Sequence, residues 1–140
     1  MTPDQIALIR RQFGLVARRA DAFAADFYDN LFHLDGTLRP MFPADLSAQR
    51  GKLVKVLAHV ILSLDDLAAV IDDVRALGAK HVGYGVTAAD YHTVGIALLK
   101  TLGDHLGDGF DDASRAAWAR CYGMLAETMS EAEGAPRAAA

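Results

Sequence analysis

The stretch Leu77-Gly78-Ala79-Lys80-His81-Val82-Gly83-Tyr84-Gly85-Val86 decides the fold, because a helical pattern reaches a histidine there and two glycines then break it. Apolar residues precede His81 at steps of three and four, as on the buried face of a helix. A histidine in that position either satisfies the last carbonyls of its own helix or coordinates a metal in an apolar pocket. The stretch alone leaves both alternatives open.

The rest of the chain repeats this helical period and predicts an all-α fold. Prolines stand only at positions 3, 40, 43 and 136, so the residues between 44 and 135 contain no forced helix break. Capping signals at Thr2-Pro3-Asp4-Gln5 and Thr87-Ala88-Ala89-Asp90 mark two helix starts. With a short turn before Pro43, the predicted helices cover about 3–18, 20–33, 46–63, 65–81, 88–106 and 111–133.

Length and composition restrict the class of protein. The 140 residues fit one domain, which we place at 1–134, with 135–140 as a disordered tail. The formal net charge is -4 and there is no basic tract, which argues against nucleic acid or an anionic membrane as the main partner. One cysteine, no signal-peptide pattern and no long apolar run predict a cytoplasmic protein without a membrane span.

Two more polar side chains are predicted to point inward. Gln49 starts the stripe that continues through Leu53, Val56 and Val60; an exposed glutamine is the alternative for this position. Tyr28 falls on the inward arc of an aromatic helix. Because a buried hydroxyl needs a partner, we expect Tyr28 to bond either to Gln49 or to a bound ligand.

These residues resemble those of bacterial globins, namely single-domain haemoglobins of the Vitreoscilla type and the haem domain of flavohaemoglobins. The resemblance covers about Gln5 to Glu133 and implies a globin fold, a 3-over-3 helical sandwich enclosing non-covalent haem b. It is carried by the order and spacing of "FYDNLF" (27–32), "LRPMF" (38–42), "QRGKL" (49–53), "KHVGYGV" (80–86), "YHTVG" (91–95) and "AWARCYGMLA" (117–126).

The resemblance assigns a role to each matching position. His81 would be the proximal histidine, the one protein ligand of the haem iron. Tyr28 and Gln49 would be the distal pair that hydrogen-bonds bound oxygen. Leu53 would be the apolar residue over the iron, and Phe42 the aromatic side chain that wedges the haem.

On the proximal side, the resemblance implies that Tyr91 and Glu133 form a hydrogen-bond network around the imidazole. A solvated acid at a fraying helix end is the alternative for Glu133. Lys80 would lie near a haem propionate. The remaining cofactor contacts that we expect are Val86, Val94, Leu98 and Tyr122.

Three functions remain open. The first is reversible O2 binding at a five-coordinate iron, with high affinity due to the distal pair; CO and NO would bind at the same position. The second is nitric oxide dioxygenation, O2 and NO giving nitrate, which on a chain of this length would rely on a separate reductase. The third is a helical module without haem that serves sensing or protein contacts. A monomer and a homodimer are equally compatible with the sequence.

The other histidines are not expected to replace Gln49 as a second iron ligand. We interpret His33, His59, His92 and His105 as surface or rim residues, and Cys121 as a small buried hydrophobe.

Overall fold

A computed structural model describes residues 1–83 and 86–134, except for the side chains of residues 82, 83 and 132–134. All regular structure in that part of the chain is helical, which confirms the all-α prediction. The α-helices are α1 Pro3–Ala17, α2 Ala20–Leu34, α3 Ser47–Leu62, α4 Ile71–Gly83, α5 Ala88–Leu106 and α6 Asp112–Gly134, and single 3₁₀ segments cover Gly36–Met41, Leu67–Ala69 and Gly107–Gly109. The predicted tail, 135–140, lies outside the described residues.

Local signals set the starts of α1 and α5. Thr2 caps α1 and Gln5 completes the capping box, with Pro3 at the first helical position. Thr87 and Asp90 form the corresponding box at α5. In both boxes two backbone N–H groups that lack an acceptor within the helix are satisfied by side chains.

The predicted start of the fourth helix at Asp65 and Asp66 was wrong. A 3₁₀ turn occupies Leu67–Ala69, and α4 begins only at Ile71. Asp66 stands before that turn without a side-chain cap, while the Asp65 carboxylate accepts a hydrogen bond from Arg10 on α1 at 2.9 Å. The Asp65 carboxylate therefore binds an arginine of another helix instead of capping the start of α4.

The helices pack around one apolar core. The main pairs are α4 with α6, α2 with α5, α1 with α6, α2 with α3 and α5 with α6, whereas α3 and α4 make no extensive contact among the described residues. The pairing of α4 with α6 is very close at Gly78, where a β-carbon would lie 2.7 Å from Met129 Cα and 2.9 Å from Met129 C. Gly78 thus allows α4 to approach the backbone of α6, three residues before His81.

A buried polar network fastens the first helix to the last. The Trp118 indole N–H donates to Gln12 Oε1 at 2.9 Å, and Gln12 Nε2 donates to Ser114 Oγ at 2.8 Å and to the Gly109 carbonyl at 3.1 Å. All three side chains are almost fully buried. Each polar atom in the network has a partner, as buried polar groups require.

Candidate functional site

His81 lies on the inward stripe of α4, as the periodicity predicts. Val70, Val74 and Gly78 precede it as buried residues, and His81 itself is half-buried. Its Nδ1 is 2.7 Å from the Leu77 carbonyl oxygen. Because a carbonyl only accepts hydrogen bonds, Nδ1 must carry the proton, and in a neutral imidazole Nε2 then carries the lone pair.

Two tyrosines form the wall beside this imidazole. The Tyr91 ring lies 6.3 Å from the His81 ring, centroid to centroid, with 30° between the planes. Tyr122 on α6 donates its hydroxyl to the Tyr91 carbonyl at 2.6 Å. Burial, and to a smaller extent the proximity of Tyr91, raise the pKa of the Tyr122 hydroxyl, so it remains a neutral donor. Gly95 makes room for the Tyr122 ring, whose Cε2 would lie 2.8 Å from a β-carbon there.

On α2 and α3 the structure brings Tyr28 and Gln49 together. Tyr28 is 4% exposed, and burial raises the pKa of its hydroxyl, while a hydrogen-bond interaction with the Gln49 side chain acts in the opposite direction. The phenol is therefore protonated at neutral pH and able to donate. The Gln49 side chain therefore lies close to the Tyr28 hydroxyl, and the joint role of the two residues stays a prediction.

Phe42 belongs to an aromatic cluster around Tyr28. Its ring centroid lies 5.6 Å from that of Tyr28 and 5.4 Å from that of Phe32, both in edge-to-face geometry. Arg39, which sequence reasoning missed, holds this corner: its guanidinium donates to the carbonyls of residues 42, 43 and 44 at 3.0–3.3 Å and lies 5.2 Å from the Phe32 centroid. Arg39 belongs to the "LRPMF" segment, but the sequence alone does not indicate that its side chain donates to backbone carbonyls.

The remaining predicted site residues fall into three groups. Leu98 is buried, and a second group packs partly buried against the core: Leu53, Val86, Val94 and Tyr122. Lys80 is exposed. The side chain of Glu133 lies outside the described residues, so its place in the network stays a prediction.

A crevice of about 410 Å³ separates α3 from α4. Val56 of α3 and Leu77 of α4 both line it, and further along His59 Nε2 contacts Asp73 Oδ2 at 3.1 Å. The crevice thus lies between the middle of α3 and the second half of α4, and Leu77 in its lining is the residue whose carbonyl contacts His81.

His105 lies at the rim of the core, one of the two positions expected for it. Its ring packs edge-on against Phe23 at 5.4 Å between centroids, Nε2 donates to Asp26 at 2.8 Å, and only 11% of the side chain is exposed. His59 is exposed and pairs with Asp73. Cys121 is buried, which raises the pKa of its thiol to about 11.

These residue types fit a haem. Helix α4 carries an oriented imidazole, and α2 and α3 carry a protonated phenol and an amide. In the part of the chain that the structure describes, no helix is both long and apolar enough to cross a bilayer.

Comparison with known proteins identifies the family and supports the fold. The sequence matches the model of the family described as Globin over residues 25–129. Over its whole length it is 29% identical to proteins named Flavohemoprotein from Bordetella pertussis and Bordetella parapertussis, and it covers 36% of each. The chain thus spans about a third of the length of these relatives. A solved bacterial globin from Campylobacter jejuni superposes with a TM-score of 0.84 at 24% identity, covering 95% of this chain and 96% of that one.

Proposed function

Because the chain belongs to the globin family and has the globin fold, we propose that it binds haem b non-covalently between α3 and α4, with His81 as its one protein ligand. The observation that carries the proposal is the 2.7 Å contact between Nδ1 and the Leu77 carbonyl, which orients the ring and directs the Nε2 lone pair toward a metal. Bound haem supplies an iron with one open coordination position at which a diatomic gas binds reversibly.

The distal residues would then stabilise bound O2. The Gln49 amide is suited to donate to the Tyr28 oxygen, which leaves the Tyr28 hydroxyl proton for the gas. A hydrogen bond to a charged acceptor is worth about 1.5–3 kcal/mol, equivalent to roughly a tenfold to hundredfold slower dissociation. We therefore propose a protein that reversibly binds O2 with high affinity.

The other side chains would enclose the cofactor. We propose that Phe42 wedges one haem edge and that Leu53 covers the gas-binding side. The proposed contacts on the remaining walls are Val86, Val94, Leu98 and Tyr122. Lys80, exposed beside the crevice, is suited to pair with a propionate. The proposed location is the cytoplasm, where a single thiol such as Cys121 stays reduced.

Absorption spectra test the iron ligand. We expect the ferrous protein to be five-coordinate and to gain a sharp band with CO. His81→Ala should lose that spectrum, whereas the exposed control His33→Ala should keep it. A protein that stays colourless after refolding with haem, or an unchanged spectrum in His81→Ala, would refute the proposal.

Gas dissociation kinetics test the distal pair. Tyr28→Phe removes the proposed donor without changing the ring, so O2 should leave about ten to a hundred times faster. Gln49→Leu should have a smaller effect, and the double variant should resemble Tyr28→Phe, since both act through one hydroxyl. An unchanged rate of O2 dissociation in Tyr28→Phe would contradict the assigned role.

Nitric oxide dioxygenation is the second candidate. It is supported by the similarity of this chain to about a third of the length of proteins named Flavohemoprotein, together with the Tyr28–Gln49 interaction, which would hold O2 while NO arrives. Converting O2 and NO to nitrate consumes one electron per turnover, which a reductase must supply. The proposed Tyr91–Glu133 network would favour this reaction by making the imidazole a stronger donor.

The two candidates differ in NO consumption under air. With an added reductase, a dioxygenase should remove NO catalytically and form stoichiometric nitrate, and removal should stop when O2 is withdrawn. A single stoichiometric oxidation without turnover would leave reversible O2 binding as the function.

A further inference from the structure

Helix α3 differs from the other helices in charge. Its sequence, SAQRGKLVKVLAHVIL, contains Arg50, Lys52, Lys55 and His59 and neither aspartate nor glutamate. Each of the other five α-helices in the described part of the chain contains at least one acid. The whole protein has a formal net charge of -4, whereas this helix is positively charged.

Part of this positive charge is already neutralised. Arg50 donates to Asp21 at 2.9 Å, and His59 contacts Asp73. Lys52, Lys55 and Lys80 are exposed and form no ion pair with the described residues; of the three, Lys80 is the one proposed above to pair with a haem propionate. We call these three lysines the lysine patch.

The lysine patch lies at the crevice between α3 and α4, where the haem is proposed to bind. Lys55 and Lys80 line the crevice between α3 and α4 from opposite helices, and Lys52 lies one turn before Lys55 on the same face. Leu77, whose carbonyl holds the His81 ring, lines the same crevice. An electron arriving at this surface would therefore be close to the iron.

We propose that the lysine patch is the docking surface for an acidic electron-donor protein that reduces ferric haem, an inference that rests on the proposed haem site. Clustered charge of one sign steers a partner of opposite sign and accelerates its association. Electron-transfer contacts are small and transient, so a few lysines suffice. A nucleic acid or an anionic membrane fits less well, because the net negative charge of the whole protein opposes a large polyanionic surface.

The test uses the haem-loaded chain and flavodoxin as the acidic donor. Lys52→Glu/Lys55→Glu reverses two charges of the patch without changing Lys80, and Arg11→Glu/Arg120→Glu makes the same net change on exposed positions of α1 and α6. At about 0.01 M salt we expect the rate of ferric haem reduction by flavodoxin hydroquinone to fall at least about tenfold in the first variant and less than about twofold in the second. At about 0.5 M salt, where charges are screened, the difference should disappear.

A second readout does not depend on electron transfer. Oxidised flavodoxin should bind the wild-type protein measurably by titration and bind the Lys52→Glu/Lys55→Glu variant more weakly. The rate of reduction by neutral lumiflavin semiquinone and the affinity for CO should be equal in all variants.

Three results would overturn the proposal. The first is an equal rate of reduction by flavodoxin in both double variants, and the second is a rate that does not depend on salt. The third is patch-dependent binding to vesicles containing phosphatidylglycerol in place of flavodoxin. Loss of the haem spectrum in the wild-type protein would instead refute the proposed function before this test begins.

Discussion

The close approach of α4 to α6 at Gly78 gives a quantitative prediction. Gly78→Ala would place a methyl group less than 3.0 Å from the Met129 backbone. Backbone atoms cannot rotate away as a side chain can, so we expect the upper end of the overpacking cost, about 3 kcal/mol. The higher helix propensity of alanine over glycine stabilises the folded protein by about 1 kcal/mol. The net expectation is a loss of about 2 kcal/mol in the free energy of unfolding.

Gly123→Ala is the matched control, because it changes the same residue type in α6, where no atom lies within 4 Å of the new β-carbon. The free energy of unfolding of this variant should be higher than that of the wild-type protein by about 1 kcal/mol. Urea unfolding followed by helical circular dichroism measures both, and the two variants should differ by about 3 kcal/mol. If Gly78→Ala is as stable as Gly123→Ala, the inferred helix contact is incorrect.

The displacement should also be visible at the site. His81 lies three residues after Gly78 on the same face of α4, so moving α4 away from α6 moves the imidazole. We expect Gly78→Ala to lose haem faster than Gly123→Ala when an excess of a haem-scavenging protein is added. Equal rates of loss would mean that α4 tolerates the displacement without moving the ligand.

Three further predictions concern packing, pH and reactivity. Gly95→Ala should destabilise the protein by about 1–2 kcal/mol in urea unfolding, because its methyl group meets the Tyr122 ring, but less than Gly78→Ala, since a ring can shift. Hydrogen bonds from the Ser114 backbone and hydroxyl lower the pKa of Asp111, so its stabilisation is present above the unfolded pKa of about 3.9 and is lost as the pH falls through the folded value. The stability advantage of the wild-type protein over Asp111→Asn should therefore shrink in unfolding curves below about pH 4, and an advantage independent of pH would contradict this. With its pKa raised to about 11, Cys121 should react with a disulfide reagent at pH 8 at least about a hundred times more slowly than a free thiol. Urea should restore the rate, and a fast reaction in the native protein would show that the thiol is accessible.

The features that could be predicted from the sequence are those that depend on neighbouring residues. The capping boxes of α1 and α5 use residues three positions apart, and the stripe that ends in His81 is a property of one helix. Tyr28 and Gln49 could be paired because both were expected to face one core.

What the sequence did not reveal depends on partners far along the chain. The start of α4 was misplaced because Asp65 binds Arg10, 55 positions away. The contacts of His105 with Phe23 and Asp26 could not be predicted either, because the pair His105–Asp26 spans 79 positions. Arg39 donates to backbone carbonyl oxygens. Because every residue has such a carbonyl, the residue types give no indication of this contact.

The network of Gln12, Ser114 and Trp118 has a consequence for the order in which the protein is made. Gln12 leaves the ribosome early, but Ser114 follows 102 positions later, and at about 5–20 residues per second that is a delay of roughly 5–20 seconds. During this time α1 cannot bury its polar side chain against its native partners. Helix α6 must therefore emerge before α1 can reach its native contacts, and folding of this domain is expected to finish only after α6 has been synthesised.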